Sequence, residues 1–203
     1  MRKIIWMMSV SVDGYMEGPN HDIDWHMVDD ELHGHMNGWL GGAGGFLEGR
    51  VTYELMAQFW PTADQDPAAT PTIVEFAQIW RDMPKVVYSR TLERAAWNAT
   101  VVHDVEPDEV LALKALPGGD LVLGGSGLGA EFARHDLIDE YRLYVHPMVI
   151  GRGTQMLRPS DARVPLHLVE TQTFGNGVVM LRYERRPSGP PPGDPSGLLR
   201  GLE

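Results

Sequence analysis

The sequence predicts a three-layer α/β fold with a mainly parallel central sheet and an antiparallel hairpin at its C-terminal edge. Two observations support this prediction. Apolar segments of strand length alternate with helical patterns through most of the chain, which is typical of parallel βαβ units. The last two apolar segments instead flank Asn176-Gly177, a pair that favours a tight primed hairpin turn and hence antiparallel strands.

The predicted strands are short and apolar. The first, residues 3–10, has apolar side chains at successive positions, so we expect it to be buried on both faces in the middle of the sheet. The full set covers residues 3–10, 46–47, 85–89, 100–103, 120–123, 142–149, 164–173 and 178–184.

The predicted helices have apolar residues three or four positions apart. They cover residues 28–40, 50–59, 72–82, 107–115 and 128–135. The first opens with Asp29, Asp30 and Glu31, which suit the positive N-terminal end of a helix. Residues 11–27 form a long polar loop, and loops of this length are usually functional or mobile.

The length of 203 residues suits one sizeable core. We expect residues 1–186 to form one domain and residues 187–203, which are rich in Pro and Gly, to be a disordered tail. The chain has no cysteine, which excludes disulfides and thiolate metal ligands and fits a cytoplasmic location. Its formal charge of −11 disfavours nucleic acid and anionic membranes as partners.

Two strand-to-helix junctions have the residues of an anion site. At the first, Gly124, Gly125, Ser126 and Gly127 precede Leu128, and glycine lets backbone amides approach a pyrophosphate at the start of a helix. The spacing differs from GxGxxG, so a standard Rossmann site is disfavoured.

The second junction contains Gly49, Arg50 and Thr52, where a guanidinium and a hydroxyl can bind phosphate. A third polar cluster, Ser89 and Arg90, ends another strand, at the edge where open α/β sheets bind ligands. Taken singly, each of these segments also suits an ordinary turn or a solvated helix start.

The order of these segments resembles the dihydrofolate-reductase-like superfamily, and most closely the reductase (C-terminal) domain of the bifunctional riboflavin-biosynthesis deaminase-reductase. The resemblance spans about residues 1–184. The matching segments are SVDGYMEG (11–18), GRVTYE (49–54), YSRT (88–91), LGGSGLGAEF (123–132) and DEYRLYVHPMVIGRGT (139–154).

The resemblance implies an oxidoreductase that transfers hydride from NADPH to a pterin, pyrimidine or related heterocycle, as in riboflavin biosynthesis. Arg50, Ser89 and Arg90 would lie near the 2′-phosphate of the cofactor. Asp13 and Gly14 would belong to the loop that closes over the nicotinamide. Gly49, Thr52 and the amides of residues 124–127, with Leu128 beneath them, would contact the pyrophosphate.

The predicted proton donor is Asp30, because it follows Trp25 by five residues, the spacing of tryptophan and acid in dihydrofolate reductases. A carboxyl group in an apolar pocket would have a raised pKa and could assist protonation. Asp30 also suits a helix start, and Asp24, Asp29 or an ordered water are alternative donors. Trp25 and His26 are the predicted substrate-binding residues.

We expect no metal site, because His33 and His35 are two residues apart and would point to different sides of a helix. A true dihydrofolate reductase and a catalytically inactive nucleotide-binding protein are alternative functions. The residues also leave open a different hydride carrier, such as a deazaflavin. The resemblance further implies a homodimer formed through the closing strands.

Overall fold

The computed structural model describes residues 1–158 and 163–186. It contains ten strands and five α-helices within those residues. The strands are β1 (Ile4–Ser11), β2 (Tyr15–Glu17), β3 (Gly45–Gly49), β4 (Lys85–Tyr88), β5 (Ala99–Val102), β6 (Leu121–Gly124), β7 (Glu140–His146), β8 (Thr154–Gln155), β9 (Leu166–Thr173) and β10 (Val179–Arg185). The helices are α1 (Asp30–Leu40), α2 (Arg50–Phe59), α3 (Pro71–Asp82), α4 (Pro107–Ala115) and α5 (Ser126–Arg134).

Eight strands form one sheet in the order β5-β4-β3-β6-β1-β7-β10-β9. The pairs from β5 to β7 are parallel, and β10 pairs antiparallel with both β7 and β9. The predicted parallel sheet with an antiparallel C-terminal edge is therefore confirmed. β2 and β8 form a separate two-stranded antiparallel sheet.

Two hydrophobic clusters cover the two faces of the sheet and complete the three layers. On one face, side chains of α1, α2 and α3 pack against strand residues such as Phe46 and Val122. On the other face, Val110 of α4 and Phe132 of α5 pack against Trp6 and Leu123. β1 lies between β6 and β7 and is largely buried, as its apolar sequence predicted.

The helix predicted over residues 28–40 begins at Asp30, because the Asp29 carboxylate caps it by accepting the Leu32 N–H at 2.9 Å. The loop predicted over residues 11–27 contains the short strand β2, which is held by pairing with the distant strand β8. Such a short strand has too few residues for an alternation pattern, so local sequence could not identify it.

The prediction of a primed turn between β9 and β10 was wrong. The Gly177 N–H donates to the Phe174 carbonyl oxygen at 2.9 Å, and within residues 174–178 only Gly177 has a positive φ, of 86°. A primed type I turn needs positive φ at both central residues. The Asn176 side chain instead stabilises a wider turn by accepting the Val178 N–H at 3.0 Å.

The predicted tail, residues 187–203, lies outside the described residues. Among residues 1–158 and 163–186, no helix has both the length and the apolar character needed to cross a membrane.

Candidate active site

A cleft of about 380 Å³ lies at the carboxyl ends of β3 and β6, where α2 and α5 begin. Ligands of open α/β sheets bind at this edge. The fifteen residues that line the cleft come from four segments of the chain. They are Met16, Glu17, His21, Gly49, Arg50, Val51, Thr52, Leu55, Gly124, Gly125, Ser126, Gly127, Leu128, Thr154 and Arg158.

Gly125 is the N-cap residue of α5 and has a φ of +84°, which side-chain-bearing residues rarely adopt. A Cβ atom at this position would lie 2.7 Å from the Thr52 hydroxyl oxygen. A Cβ atom on the neighbouring Gly124 would lie 3.6 Å from the Thr52 methyl group. Gly125 therefore lets the backbone of one junction lie close to the hydroxyl of the other.

Two helix N-termini meet at this cleft. The first amides of a helix have no intrahelical acceptor, and the helix dipole places partial positive charge there. Ser126, Gly127 and Leu128 supply such amides from α5, and Arg50 begins α2. The combination is suited to a polyanion such as a pyrophosphate.

Two arginines add full positive charge to the cleft. Arg50 is half exposed and has a loose contact of 3.8 Å with Glu54. Arg158 comes from the segment after β8, and a Cβ atom on Gly127 would lie 3.5 Å from its guanidinium group. Arg158 was not predicted from the sequence, because nothing in its local sequence links it to a helix that begins 32 residues earlier.

Ser89 and Arg90 follow β4, beside the cleft strand β3, but they are not among the residues that line the cleft. The Ser89 hydroxyl accepts the N–H groups of Thr91 and Leu92 at 3.2 and 2.9 Å. The exposed Arg90 guanidinium donates from Nε to the Asp104 carboxylate at 2.6 Å. Their contact with a 2′-phosphate stays a prediction.

Asp13 and Gly14 connect two loops outside the cleft lining. The Asp13 carboxylate accepts the Ser11 hydroxyl at 2.7 Å and the Gly151 N–H at 2.7 Å. The Ser11 hydrogen bond, together with the backbone donors, lowers the pKa of Asp13. Gly14 has a φ of +84°, and its carbonyl oxygen accepts the Met156 N–H at 3.0 Å. Both residues fix the turn after β1, and their contact with the cofactor stays a prediction.

Asp30 lies at the exposed first turn of α1. Its carboxylate accepts the Thr72 hydroxyl of α3 at 2.7 Å. This hydrogen bond lowers the pKa of Asp30, so the carboxyl group stays charged at neutral pH. The apolar pocket and raised pKa expected of the proton donor are therefore not found at Asp30. Its catalytic role stays a prediction for mutagenesis.

Trp25 and His26 form an aromatic cluster with His146, the last residue of β7. The His26 and His146 rings stack with centroids 5.0 Å apart, and the Trp25 ring is perpendicular to both, with its centroid 4.2 and 5.7 Å from theirs. His26 Nε2 lies 3.3 Å from the carbonyl oxygen of Met16, which lines the cleft. The predicted substrate residues therefore adjoin the cleft wall. His146 was missed because its apolar surroundings in sequence indicated only a strand.

Glu48 is a second buried group that was not predicted from the sequence. It directly precedes Gly49 in β3 and pairs in register with Gly124, so both of its neighbours line the cleft. Burial raises the pKa of its carboxyl group to about 7. Its Oε2 atom is buried and has no hydrogen-bond partner among the described residues. An acid inside an apolar strand is the signal that could have identified it.

The histidines of α1 pack against aromatic rings. His33 lies 5.7 Å from the Phe76 ring and His35 lies 5.0 Å from the Phe174 ring. Within the described part of the chain, no group of three His, Cys, Asp or Glu side chains has the arrangement of a metal site.

Comparison with known proteins places the chain in a family. The model of the RibD C-terminal domain matches residues 2–180. The uncharacterized protein YyaP of Bacillus subtilis is 34% identical over 183 residues, which are 90% of this chain and 94% of YyaP. The uncharacterized protein YwjB of the same organism is 25% identical over 188 residues, 91% of this chain and 98% of YwjB.

Solved structures share the fold. A putative riboflavin biosynthesis protein from Shewanella sp. PV-4 superposes with a TM-score of 0.70 at 19% identity, covering 92% of this chain and all of that one. Dihydrofolate reductase from Enterococcus faecalis, complexed with NADP(H), has a TM-score of 0.61 at 16% identity, with 91% and 97% covered. The fold is therefore dihydrofolate-reductase-like, and the matched residues show that this chain belongs to the family of RibD C-terminal domains.

Proposed function

We propose that this protein is an NADPH-dependent oxidoreductase that reduces a pterin, a pyrimidine or a related heterocycle. The observation that supports it best is the convergence in one cleft of two helix N-termini, two arginines and Gly125, whose positive φ and close approach to Thr52 disfavour a side chain. These features are suited to a dinucleotide, which has a pyrophosphate and further charge at its adenosine end.

The residues present fit this cofactor. The first-turn amides of residues 126–128 and the Thr52 hydroxyl would hold the pyrophosphate, with Gly49 leaving the backbone open. Arg50 and Arg158 would add charge, and Ser89 and Arg90 would hold the 2′-phosphate. Val51 and Leu55 of α2 are 48% and 50% exposed within the cleft, and they offer apolar surface to a ring. NADPH, when bound, supplies the hydride.

The remaining predicted residues have roles on the substrate side. Asp13 and Gly14 hold the turn after β1, and we propose that this turn excludes water from the reacting ring. Trp25 and His26 bind the heterocycle, and Asp30 is the proposed proton donor. The names of relatives support the substrate class, since the Thermotoga maritima neighbour is a 5-amino-6-(5-phosphoribosylamino)uracil reductase with a deaminase; this chain spans 57% of it, at a TM-score of 0.61.

The first experiment is a titration of the protein with NADPH, followed by cofactor fluorescence. We expect Gly125→Ala to weaken binding at least about tenfold, because alanine disfavours a φ of +84° and its Cβ atom would approach Thr52. Gly38→Ala in α1 is the matched control, because a Cβ atom there has no neighbour within 4 Å. Absence of NADPH binding to the native protein at millimolar cofactor would refute the proposal.

A second candidate is a nucleotide-binding protein without catalysis, and the low pKa of the exposed Asp30 favours it. Consumption of NADPH separates the two functions. Turnover with 5-amino-6-(5-phosphoribosylamino)uracil supports the proposed reductase, whereas rapid turnover with dihydrofolate identifies a dihydrofolate reductase. NADPH binding without turnover of either substrate favours the inactive protein.

A further inference from the structure

His146 has a buried hydrogen-bond donor that nothing in its surroundings uses. The residue is fully buried at the end of β7, beside Ser11 of β1. Its Nδ1 atom accepts the Met27 N–H at 3.0 Å, so the neutral ring has its proton on Nε2. The Nε2 atom has no hydrogen-bond partner among the described residues. Buried donors in folded proteins are usually paired, so this N–H is available to an acceptor that reaches it.

The ring stays neutral across the physiological pH range. Burial, with the neighbouring His26 as a second cause, lowers the pKa of His146 to about 4. The group is therefore a fixed donor and acceptor pair, with Nδ1 turned to the chain and Nε2–H without a partner. A neutral imidazole in a dry site can polarise a carbonyl group without losing its proton.

His26 links His146 to a residue of the cleft wall. The His26 ring stacks on the His146 ring and contacts the carbonyl oxygen of Met16, whose side chain lines the cleft. Trp25 packs against the edge of both imidazoles. Outward movement of the Trp25 and His26 rings would therefore uncover the His146 ring.

The loop that carries Trp25 and His26, residues 23–28, has few anchors in the rest of the protein. Ile23, Met27 and Val28 are 52%, 40% and 46% exposed, so its apolar side chains add little to the core. Its backbone is held mainly at Met27, whose N–H donates to His146 and whose carbonyl oxygen accepts the Asn176 amide at 2.8 Å. The loop can therefore move without opening either hydrophobic cluster.

We propose that the Nε2–H of His146 donates a hydrogen bond to a carbonyl oxygen or ring nitrogen of the heterocyclic substrate, which enters past Met16 as the Trp25 and His26 rings move aside. The inference rests on the proposed reductase function and adds a substrate-binding residue to it. His146 keeps its proton throughout. The bond polarises the acceptor, and the proton that reduction requires comes from another group.

The test compares three variants of the full chain. His146→Phe keeps a ring but removes both nitrogens, and His146→Gln restores an N–H donor. Asn176→Ala is the matched control, because it frees the same loop at the Met27 carbonyl oxygen and leaves His146 intact. The probes are dihydrofolate and 5-amino-6-(5-phosphoribosylamino)uracil, titrated by calorimetry against protein saturated with NADPH.

We expect at least one probe to bind the native protein and to shift the Nε2–H resonance of His146 in ¹⁵N NMR spectra. His146→Phe should weaken that probe at least about tenfold, and His146→Gln should recover part of the loss. Asn176→Ala should change it by less than about threefold, and NADPH affinity should stay unchanged in all three variants.

Several outcomes overturn the inference. Equal losses in His146→Phe and Asn176→Ala would show that His146 only holds the loop. An unshifted Nε2–H resonance, or no binding of either probe, would also refute it. If the native chain does not bind NADPH, the proposed reductase function is refuted, but the inference about His146 is not yet decided. The probes are then titrated against the chain alone, and the same comparison of variants decides the role of His146.

Discussion

Glu48 and Lys85 lie on the same face of neighbouring parallel strands, and burial pushes both groups toward their neutral forms. In the register of β3 and β4, Phe46 faces Lys85 and Glu48 faces Val87. Burial raises the pKa of Glu48 to about 7 and lowers that of Lys85 to about 8. The Lys85 ammonium donates to the carbonyl oxygens of Met83 and Trp97 at 2.8 and 2.9 Å, whereas Glu48 Oε2 has no such compensation within the described residues.

The first prediction concerns stability and pH. Between pH 4.5 and about 7 the unfolded chain has released the Glu48 proton and the folded chain keeps it, so this group makes stability fall as pH rises. Across the window the loss approaches about 3 kcal/mol. Glu48→Gln removes this pH-dependent loss of stability, so the variant should gain stability relative to the native protein as pH rises. Urea unfolding of both proteins from pH 4.5 to 8 measures the difference in their free energies of unfolding. A difference that stays constant with pH would contradict the raised pKa of Glu48.

His146 changes the stability in the opposite direction to Glu48, over an overlapping pH range. Its pKa is lowered from 6.5 to about 4, so the unfolded chain binds a proton there that the folded chain does not, and stability rises with pH. The two groups therefore largely cancel in the native protein between pH 4.5 and 6.5. His146→Gln should lose stability relative to the native protein as pH rises, opposite to Glu48→Gln. Variants that change in the same direction would contradict this cancellation.

The second prediction concerns packing beneath the cleft. A Cβ atom on Gly129 of α5 would lie 2.1 Å from ring carbons of Trp6, which is 1% exposed. Gly129→Ala should therefore destabilise the protein by about 1–3 kcal/mol in thermal or urea unfolding, since an overpacked core must shift. Gly127→Ala in the same helix is the control, because its Cβ atom would meet only the end of Arg158 at 3.5 Å. Equal stability of the two variants would show that Trp6 moves freely.

The third prediction tests Asp30. If it donates the proton, Asp30→Asn should lower turnover of NADPH and leave cofactor affinity nearly intact. Because the Thr72 hydroxyl bonds Asp30, Thr72→Val serves as the control for loss of that contact without loss of the carboxyl group. Unchanged turnover in Asp30→Asn assigns proton donation to Asp24, Asp29 or an ordered water.

The fourth prediction concerns cofactor choice. Arg90→Ala should weaken NADPH far more than NADH, because a guanidinium at this strand end would bind the additional phosphate. Asp104→Ala, which frees Arg90 from its ion pair, should leave the preference for NADPH in place or increase it. Fluorescence titrations with both nucleotides give the ratio. Equal losses for the two nucleotides would show that Arg90 does not meet the 2′-phosphate.

The fifth prediction concerns assembly. β9 is an edge strand whose residues are mostly exposed, and Leu168 and Val169 are 46% and 40% exposed. Exposed apolar edges favour pairing between chains. We expect a dimer in sedimentation experiments and a monomer for Val169→Lys, with the fold intact by circular dichroism. A native protein that sediments as a monomer would refute the expected homodimer.

Sequence patterns predicted the elements well where short-range rules apply. Eight of the twelve predicted cofactor residues line the cleft, because strand-to-helix junctions with glycine are local features; these eight are Gly49, Arg50, Thr52, Gly124, Gly125, Ser126, Gly127 and Leu128. Contacts between distant segments were not predictable. The pairing of β2 with β8 and the position of Arg158 depend on where a late loop packs.

The apolar residues of α2 also show that contacts between distant segments were not predictable. Apolar residues three or four positions apart predicted this helix, yet two of them, Val51 and Leu55, line the cleft, and Tyr53 is buried. Periodicity reveals an apolar stripe but not whether a ligand or the protein core covers it. Burial of Glu48 likewise depends on the neighbouring strands β4 and β6, which are distant from it in sequence.

The cleft is assembled from four segments that lie between Met16 and Arg158, so parts of the chain that are far apart in sequence must come together before it is complete. Contacts this distant in sequence are slow to form and are lost together when the domain opens. A ligand held by all four segments therefore opposes unfolding of the entire domain, and each tenfold rise in its concentration above Kd adds about 1.4 kcal/mol. In a cell, the amount of intact protein would then follow the supply of that ligand.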